Sequence, residues 1–148
     1  MPTPTKATKV GASLRACLET ITQQNGYQTQ LAAVYGPADK VREKPPTPYA
    51  LVRPSADNRT GAAMQQATRV RMFEIEVVFS KAVEDPEAAL DAVHVDILRA
   101  LGFGRDNDRK FAGLIEDDDE ATFRYAAENE TTHSITISVG VLYVESYN

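Results

Sequence analysis

The sequence is poor in residues that often stabilise a small chain or give it chemistry. Cys17 is its only cysteine, so an intramolecular disulfide and a cysteine-based zinc site are excluded, and synthesis in a reducing cytoplasm is expected. Tryptophan is absent, which predicts an aliphatic core with a few Phe and Tyr side chains. With 148 residues, the chain is the size of one domain that can fold on a hydrophobic core alone. We therefore predict a single domain over residues 1–148.

Long apolar runs and an excess of positive charge are missing as well. No stretch approaches the ~18 apolar residues of a transmembrane helix, and residues 1–6 lack the apolar segment of a signal peptide. We expect a soluble protein with no membrane partner. The 16 Lys and Arg residues against 21 Asp and Glu residues leave a net charge of −5, which does not attract DNA or anionic lipid as a whole.

Two segments have the period of a helix. In residues 8–24 the apolar side chains fall on one helical stripe, and Asn25-Gly26 is expected to end this helix. The second helix is predicted to begin after Asp85, a capping residue before Pro86, and to end at Gly102. The two stripes consist of Val10, Leu14, Cys17, Leu18 and Ile21, and of Ala89, Leu90, Val93, Ile97 and Leu101.

Two segments alternate with the period of a strand. In residues 133–146 the apolar side chains from Ile135 to Tyr143 share one parity, and a strand of this length reaches roughly 40 Å. Because usual strands have about 5–6 residues, we expect this one to extend beyond its own domain and to offer an edge. Residues 69–80 place Phe73 and its apolar neighbours on one face and two glutamates on the other.

The remaining segments are predicted from their turn-forming residues. Residues 1–7 are expected to be flexible, and residues 36–48 form a proline-rich connector. A short strand over residues 49–53 is expected to end at Pro54, and polar residues 55–68 to form the tip or loop of a hairpin. Two weaker strands are predicted over residues 111–116 and 122–127. This order predicts an α+β fold: an antiparallel or mixed sheet of about four to five strands with two main helices on one face.

No arrangement of residues predicts catalysis. The acidic run at residues 116–120 carries carboxylates that suit a cation, but a solvated turn is the simpler interpretation. Residues 106–108 resemble the start of a calcium loop, yet Lys110 and Phe111 occupy positions where that loop needs other residues. His94 and His133 have no ligand partners at the usual spacing. We predict no catalytic residue, no metal and no cofactor, and therefore a protein that is not an enzyme.

Basic residues are concentrated around the first predicted hairpin, at Arg53, Arg59, Arg69 and Arg71. One interpretation is a positive rim that faces an acidic partner or the backbone of passing DNA. The other, slightly favoured, is ordinary pairing with Glu74 and Glu76 across the sheet.

Taken together, the segments resemble the tail terminator, or tail completion, proteins of long-tailed bacteriophages, the family that includes the lambda minor tail protein U. The resemblance covers most of the chain. Its basis is an N-terminal helix, the short strand at 49–53, the strand at 73–79 with alternating acids, the helix at 85–101 and the terminal strand to Tyr143.

The resemblance implies a homo-oligomeric ring, usually a hexamer, that caps the tail tube and docks it to the head connector. Such a protein is made in the bacterial host cytoplasm and resides in the virion tail. Its partners are the tail tube protein and the connector, and genomic DNA passes through its channel without specific contact.

This hypothesis nominates two sets of residues. The last strand supplies the candidate subunit interface, and proline at Val141 or Leu142 is expected to abolish oligomers. Charged loops are the candidate channel lining, where acids keep DNA mobile and arginines retain it. The interface set is Ile137, Val139, Val141, Leu142, Tyr143 and Val144; the channel set is Arg53, Arg59, Arg69, Glu116, Asp117, Asp118, Asp119 and Glu120.

Two other classes of protein fit the same observations. One is a different neck or head-to-tail connector component of a phage. The other is a compact α+β ligand-binding or regulatory domain, which a monomer with a single apolar cavity would favour.

Overall fold

A computed structural model describes residues 2–103 and 109–147, and within this part the side chains of residues 117–119 are not described. The described residues form two α-helices, one 3₁₀ turn and five strands. In chain order these are α1 (Lys6–Leu18), the 3₁₀ turn (Gln23–Asn25), β1 (Ala33–Tyr35), β2 (Tyr49–Ala63), β3 (Gln66–Ser80), α2 (Pro86–Leu101), β4 (Leu114–Arg124) and β5 (Thr132–Ser146).

The five strands make one mixed sheet in the order β1-β2-β3-β5-β4. β1 runs parallel to β2, and every other neighbouring pair is antiparallel. Both helices contact β5 and each other, so they share one face of the sheet. The predicted α+β class is therefore confirmed.

The core lies between the helices and this face. Its largest members alternate along β3 and β5, where Phe73, Ile75, Ile135 and Ile137 are at most 1% exposed. The helices add buried apolar side chains from the predicted stripes, which confirms both periodicities. These helical contributions are Leu14, Cys17 and Leu18 from α1, and Leu90, Val93, Ile97 and Leu101 from α2.

The two helix ends of α2 lie where the sequence predicts them. The Asp85 side chain accepts a hydrogen bond from the Ala88 N–H, and Pro86 occupies the first turn. Gly102 ends the helix with a φ of 108°, a backbone angle that residues with a side chain rarely adopt. The sequence was sufficient to predict both ends of α2 because each capping group forms its hydrogen bonds with residues no more than four positions away.

The predicted extent of α1 is wrong at both ends. α1 begins at Lys6, inside the segment expected to be flexible, because the Thr5 side chain accepts a hydrogen bond from the Thr8 N–H. It ends at Leu18, and the Asn25-Gly26 pair instead closes the 3₁₀ turn, with Gly26 at a φ of 92°.

The hairpin of β2 and β3 has no long tip. β2 continues through Pro54 to Ala63, and β3 begins at Gln66, so the predicted loop at residues 55–68 is almost entirely strand. Pro54 is tolerated because β1 pairs only with residues 49–51, which leaves this part of β2 at an edge with a register shift between Pro54 and Ala56.

The two weak strands predicted around the acidic run are a single strand, β4. Its pairing with β5 shifts register between Ile115 and Asp117 and between Asp117 and Glu120, and the acidic run is part of the strand instead of a turn. Among the described strands β4 pairs with β5 alone, and an edge strand accepts both register shifts and charged residues.

The proline-rich connector at residues 36–48 contains no helix or strand, as predicted. The strand that precedes it, β1, was not predicted. Its three residues pair with Tyr49, Ala50 and Leu51 of β2, and a run this short has no recognisable period.

Candidate assembly surfaces

β5 is an interior strand of the sheet. It pairs with β3 from Thr132 to Ser146 and with β4 from Ser134 to Leu142. The prediction that the last strand offers a free edge is therefore wrong for most of its length. Among the described strands, residues 143–146 at one end of β5 and residues 132–133 at the other have no partner in β4.

Most of the candidate interface residues lie in the core. Ile137, Val139 and Val141 are at most 1% exposed, and Tyr143 is 9% exposed. Leu142 is half-buried, and Val144, at 38% exposed, is the only one of the six on the surface. The alternation of β5 marks the face beneath the helices. Proline at Val141 or Leu142 would disrupt a doubly paired strand and unfold the domain, so it does not test assembly.

Three strands continue past β4 as an arm. The three-stranded arm consists of residues 57–63 of β2, 66–70 of β3 and 143–146 of β5, and the pairs Ala63 with Gln66 and Gln66 with Ser146 complete its far end. At about 3.3 Å per residue, it extends by roughly 20 Å. Met64, at the turn between β2 and β3, is fully exposed and has a φ of 40°.

One carboxylate joins the three strands of the arm. Asp57 Oδ1 accepts a hydrogen bond from Arg69 Nε at 2.5 Å, and Asp57 Oδ2 accepts one from Arg71 Nε at 2.8 Å. The Tyr143 hydroxyl also donates to Asp57 Oδ2, at 2.5 Å. The Arg69 guanidinium reaches the Tyr147 hydroxyl at 3.2 Å as well. The Asp57 cluster, defined as Asp57, Arg69, Arg71 and Tyr143, therefore links β2, β3 and β5.

These contacts shift the pKa of the Asp57 carboxyl group and the pKa of the Tyr143 hydroxyl group. Burial raises the pKa of Asp57, but the hydrogen bonds from Tyr143, Arg71 and Arg69 outweigh it and hold the pKa below its usual value. Burial, followed by the hydrogen bond to Asp57, raises the pKa of Tyr143 to about 12. Near neutral pH the cluster therefore contains an ionised carboxylate and a neutral tyrosine.

The basic residues of the hairpin divide into two groups. Arg69 and Arg71 form ion pairs with Asp57, a partner that was not predicted from the sequence. Because Arg69 is held in this pair, it is poorly suited to line a channel. Arg53 lies 3.8 Å from Glu76 and its side chain remains 59% exposed, so the predicted cross-sheet pairing is found here. Arg59 is exposed and has no ion pair with another described residue.

Considering the described strands, the sheet has an unpaired edge on each of two opposite sides. On one side, residues 52–63 of β2 have no outer neighbour among the described strands. This segment, the basic edge, contains Arg53 and Arg59, while Asp57 is already paired with arginines. On the other side, the outer edge of β4, the acidic edge, contains five consecutive acidic residues.

Exposed apolar side chains accompany the acidic edge. Leu114 at one end of β4, Phe123 at the other, and Tyr125 just beyond it are all exposed. Ring contacts hold Phe123 against His94 and Tyr125 against His133, with centroids 6.4 Å and 5.9 Å apart. Exposed glutamates at 116 and 120 lie between these apolar ends. The acidic edge is thus a surface of mixed apolar and negative character.

The described residues bring together no set of side chains for metal binding. No three His, Cys, Asp or Glu side chains in the described ranges converge on one point, and the predicted calcium-loop resemblance at 106–108 lies outside the described residues. Burial raises the pKa of the Cys17 thiol to about 11, so it is protonated at neutral pH. His133 Nδ1 accepts a hydrogen bond from the Ala126 N–H, a packing contact.

Neither a protein-family model nor a curated protein sequence matches this chain. Among the helices described, none has the length and apolar character needed to cross a bilayer.

Proposed function

We propose that the protein is a structural subunit that assembles head to tail into a closed ring, and that the ring is a phage tail terminator that caps the tail tube and joins it to the head connector. The observation that carries this proposal is the presence of two unlike, oppositely charged strand edges on opposite sides of one sheet. Six copies per ring is the number that the family resemblance implies.

Unlike edges favour a ring over a two-fold dimer. A contact between two different surfaces repeats with a rotation at every copy, and the rotation closes a ring when it divides a full turn. The acidic edge of one copy pairs with the basic edge of the next, where main-chain hydrogen bonds extend the sheet and the opposite charges set its orientation. This contact replaces the β5 edge as the proposed joint.

The apolar residues at the acidic edge support the same contact. Leu114, Phe123 and Tyr125 are exposed beside an unpaired strand, a combination that promotes uncontrolled association if it stays uncovered. A neighbouring copy covers these side chains in the proposed ring. The five acids then prevent two acidic edges from pairing with each other, because like charges repel.

The three-stranded arm is the proposed contact to other tail components. Its three strands and the Asp57 cluster make it stiffer than an isolated two-stranded hairpin. The fully exposed Met64 at its end is an adaptable apolar contact for the tail tube or the connector. Arg59 also lies on the arm, but in this proposal it belongs to the basic edge and faces the acidic edge of the next copy.

Charge exchange between the two edges tests the proposed joint. One variant, in which all five acids of residues 116–120 are replaced by lysine, makes the acidic edge basic; a second, Arg53→Glu with Arg59→Glu, makes the basic edge acidic. We expect wild-type protein to form a ring, measured as mass by light scattering over a concentration series. Each variant alone should remain monomeric, because both of its edges then favour the same partner charge.

An equimolar mixture of the two variants provides the matched control. Their altered edges are complementary to each other, so alternating copies should restore a ring with an even number of subunits. Circular dichroism checks that each variant is folded. A monomeric wild type at every concentration, variants that assemble alone, or a mixture that stays monomeric contradicts the proposed joint.

Binding to purified tail components separates the terminator from another neck protein. A tail terminator should bind the ends of assembled tail tubes, as observed by electron microscopy. Binding to the isolated head connector without binding to tube ends would instead favour a different connector component.

A further inference from the structure

A cleft of about 360 Å³ lies between α1, the turn at residues 36–39 and the adjoining part of β2 and β3. Its volume falls at the lower end of the range found for small-molecule sites. Much of its wall is apolar and includes Ala7, Pro37, Pro54 and Phe73. The cleft adjoins the basic edge at Pro54, and its other lining residues lie outside both strand edges of the proposed joint.

Arg15 supplies the positive charge of this cleft. Its side chain is half-buried, and it forms no hydrogen bond or ion pair with any other residue in the described parts of the chain. A guanidinium has five N–H donors in one plane, and these remain available to water or to a ligand. A half-buried arginine without a protein partner, beside an apolar wall, is the arrangement expected of a site for an anion.

The backbone at Gly36 makes room for this arginine. A Cβ atom at Gly36 would lie 2.8 Å from both Cδ and Nε of Arg15, which is closer than such atoms approach. Asp39 holds the turn, since its Oδ2 accepts a hydrogen bond from the Gly36 N–H at 2.6 Å. The position of the Arg15 side chain therefore depends on the absence of a side chain at residue 36.

A second guanidinium borders the same cleft. Arg71 uses Nε to bind Asp57, and its terminal nitrogens have no hydrogen bond to another described residue. The Asp57 charge is shared among Arg69, Arg71 and Tyr143, which reduces its repulsion of an anion nearby. The Asp39 carboxylate, in contrast, lines the cleft and disfavours a ligand with more than one negative charge.

We propose that this cleft binds a small monocarboxylic acid with an apolar body. The carboxylate pairs with the Arg15 guanidinium, whose planar donors match its two oxygens, and Arg71 adds positive charge. The apolar body lies against Pro37 and Pro54, which line the cleft and are exposed. This binding site is a property beyond the proposed ring and does not depend on it.

Calorimetric titration with phenylacetate, and with its neutral analogue phenylacetamide, tests the site. We expect phenylacetate to bind and phenylacetamide to bind at least about tenfold more weakly, because the amide lacks the charge-assisted hydrogen bond. A dipeptide ending in Phe, with a free or an amidated C-terminus, tells whether the ligand is a free acid or a peptide terminus. Preference for the free-terminus peptide over phenylacetate would assign the site to a peptide carboxylate.

Three variants place the binding on Arg15. Arg15→Met removes the charge and should weaken phenylacetate binding by at least about tenfold. Gly36→Ala keeps the charge but displaces the flexible end of Arg15, and should weaken binding in a folded protein. Arg42→Met, an exposed change in the connector, should leave the affinity unchanged.

The opposite results would overturn the proposal. Equal affinity for phenylacetate and phenylacetamide would show that the site does not recognise the charge of the ligand. Equal affinity for phenylacetate and inorganic phosphate would show that the apolar wall contributes nothing to binding. Absence of binding by phenylacetate and by both dipeptides, or binding that Arg15→Met and Gly36→Ala leave intact, excludes the site. Circular dichroism of each variant separates loss of binding from loss of fold.

Discussion

Asp57 shows how a single residue can order a region that has little hydrophobic core. The three-stranded arm lies beyond β4, and the side chains that meet Asp57 come from two other strands, β3 and β5. Hydrogen bonds to an ionised group are stronger than those between neutral groups, and here they converge on one carboxylate. Without it, Arg69 and Arg71 would face each other with no negative charge between them.

Replacement of Asp57 by asparagine should therefore destabilise the protein. Asparagine preserves the shape but loses the charge, so we expect the free energy of unfolding to fall by about 1–3 kcal/mol. Chemical denaturation measures this change. Glu84→Gln, at an exposed position, is the control and should have little effect. Equal stability of the two variants would mean that the cluster contributes nothing to the fold.

The same carboxylate predicts a dependence of stability on pH. Since the pKa of Asp57 is lower in the folded protein than in the unfolded chain, its contribution is present above the unfolded value of ~3.9 and is lost as the pH falls through the lower folded value. The difference in unfolding free energy between wild type and Asp57→Asn should hence shrink on acidification. A difference that is constant down to strongly acidic pH would contradict this assignment.

Tyr143 should be visible at the alkaline end of a titration. Its pKa of about 12 lies above the usual value of ~10, so its hydroxyl remains neutral at a pH where a free tyrosine side chain ionises. In an ultraviolet difference titration, Tyr143→Phe should remove the last part of the tyrosinate signal. The stabilising effect of this raised pKa is complete below ~10 and disappears as the pH rises through about 12. Loss of an earlier part of the signal would contradict the assignment.

Among the elements, the ends of the helices are controlled by a few local groups. Gly102 has a φ of 108°, and a Cβ atom there would lie 3.1 Å from Cδ of Arg109. Gly11, in the middle of α1, has helical backbone geometry, and a Cβ atom there would be in ordinary contact with Arg15 and Phe73. Residue 102 therefore requires the conformational freedom of glycine, whereas residue 11 does not.

Alanine at these two positions should have opposite effects on stability. Gly102→Ala should lower the free energy of unfolding by about 1 kcal/mol or more, since alanine is strained at positive φ. Gly11→Ala should raise it by up to about 1 kcal/mol, because alanine is the better helix former. Thermal and chemical denaturation of both variants measure the effects. A stabilised Gly102→Ala protein would disprove the proposed role of this glycine.

At the scale of the whole molecule, the distribution of charge matters more than the net charge of −5. The acidic edge and the basic edge lie on opposite sides of the sheet, separated by β3 and β5. Such a molecule has two unlike surfaces on opposite sides, and the head-to-tail ring that we propose requires this geometry.

Assembly by these edges should be weakened by salt. The Debye length falls from about 10 Å at 0.1 M ionic strength to about 3 Å at 1 M, so attraction between exposed edge charges is screened. We expect the average mass in light scattering to shift toward the monomer as sodium chloride increases, while the circular dichroism spectrum remains unchanged. A mass that is independent of salt would indicate that the contact is mainly apolar, through residues such as Leu114 and Phe123.

Features that depend on neighbouring residues were predictable from the amino-acid sequence alone. The cap at Asp85, the stop at Gly102 and the alternation of β3 and β5 all reflect contacts within a few residues or the period of one element. From these features the α+β class follows. The same rules failed at residues 55–68. This polar segment is strand because it pairs across its own hairpin and, from residue 66 onward, with the end of β5, and not because of its own pattern.

The tertiary structure decided which edges and side chains meet. Alternation along β5 identifies its buried face, but pairing with β4 on one side and β3 on the other makes it an interior strand. Asp57 lies 12 and 14 residues from its two arginines, and the register of β2 on β3 brings them together. In the cleft, Arg15 and Arg71 belong to a helix and a strand far apart in the chain. Their proximity arises because the helix packs across the sheet, an arrangement set by the packing of the whole core.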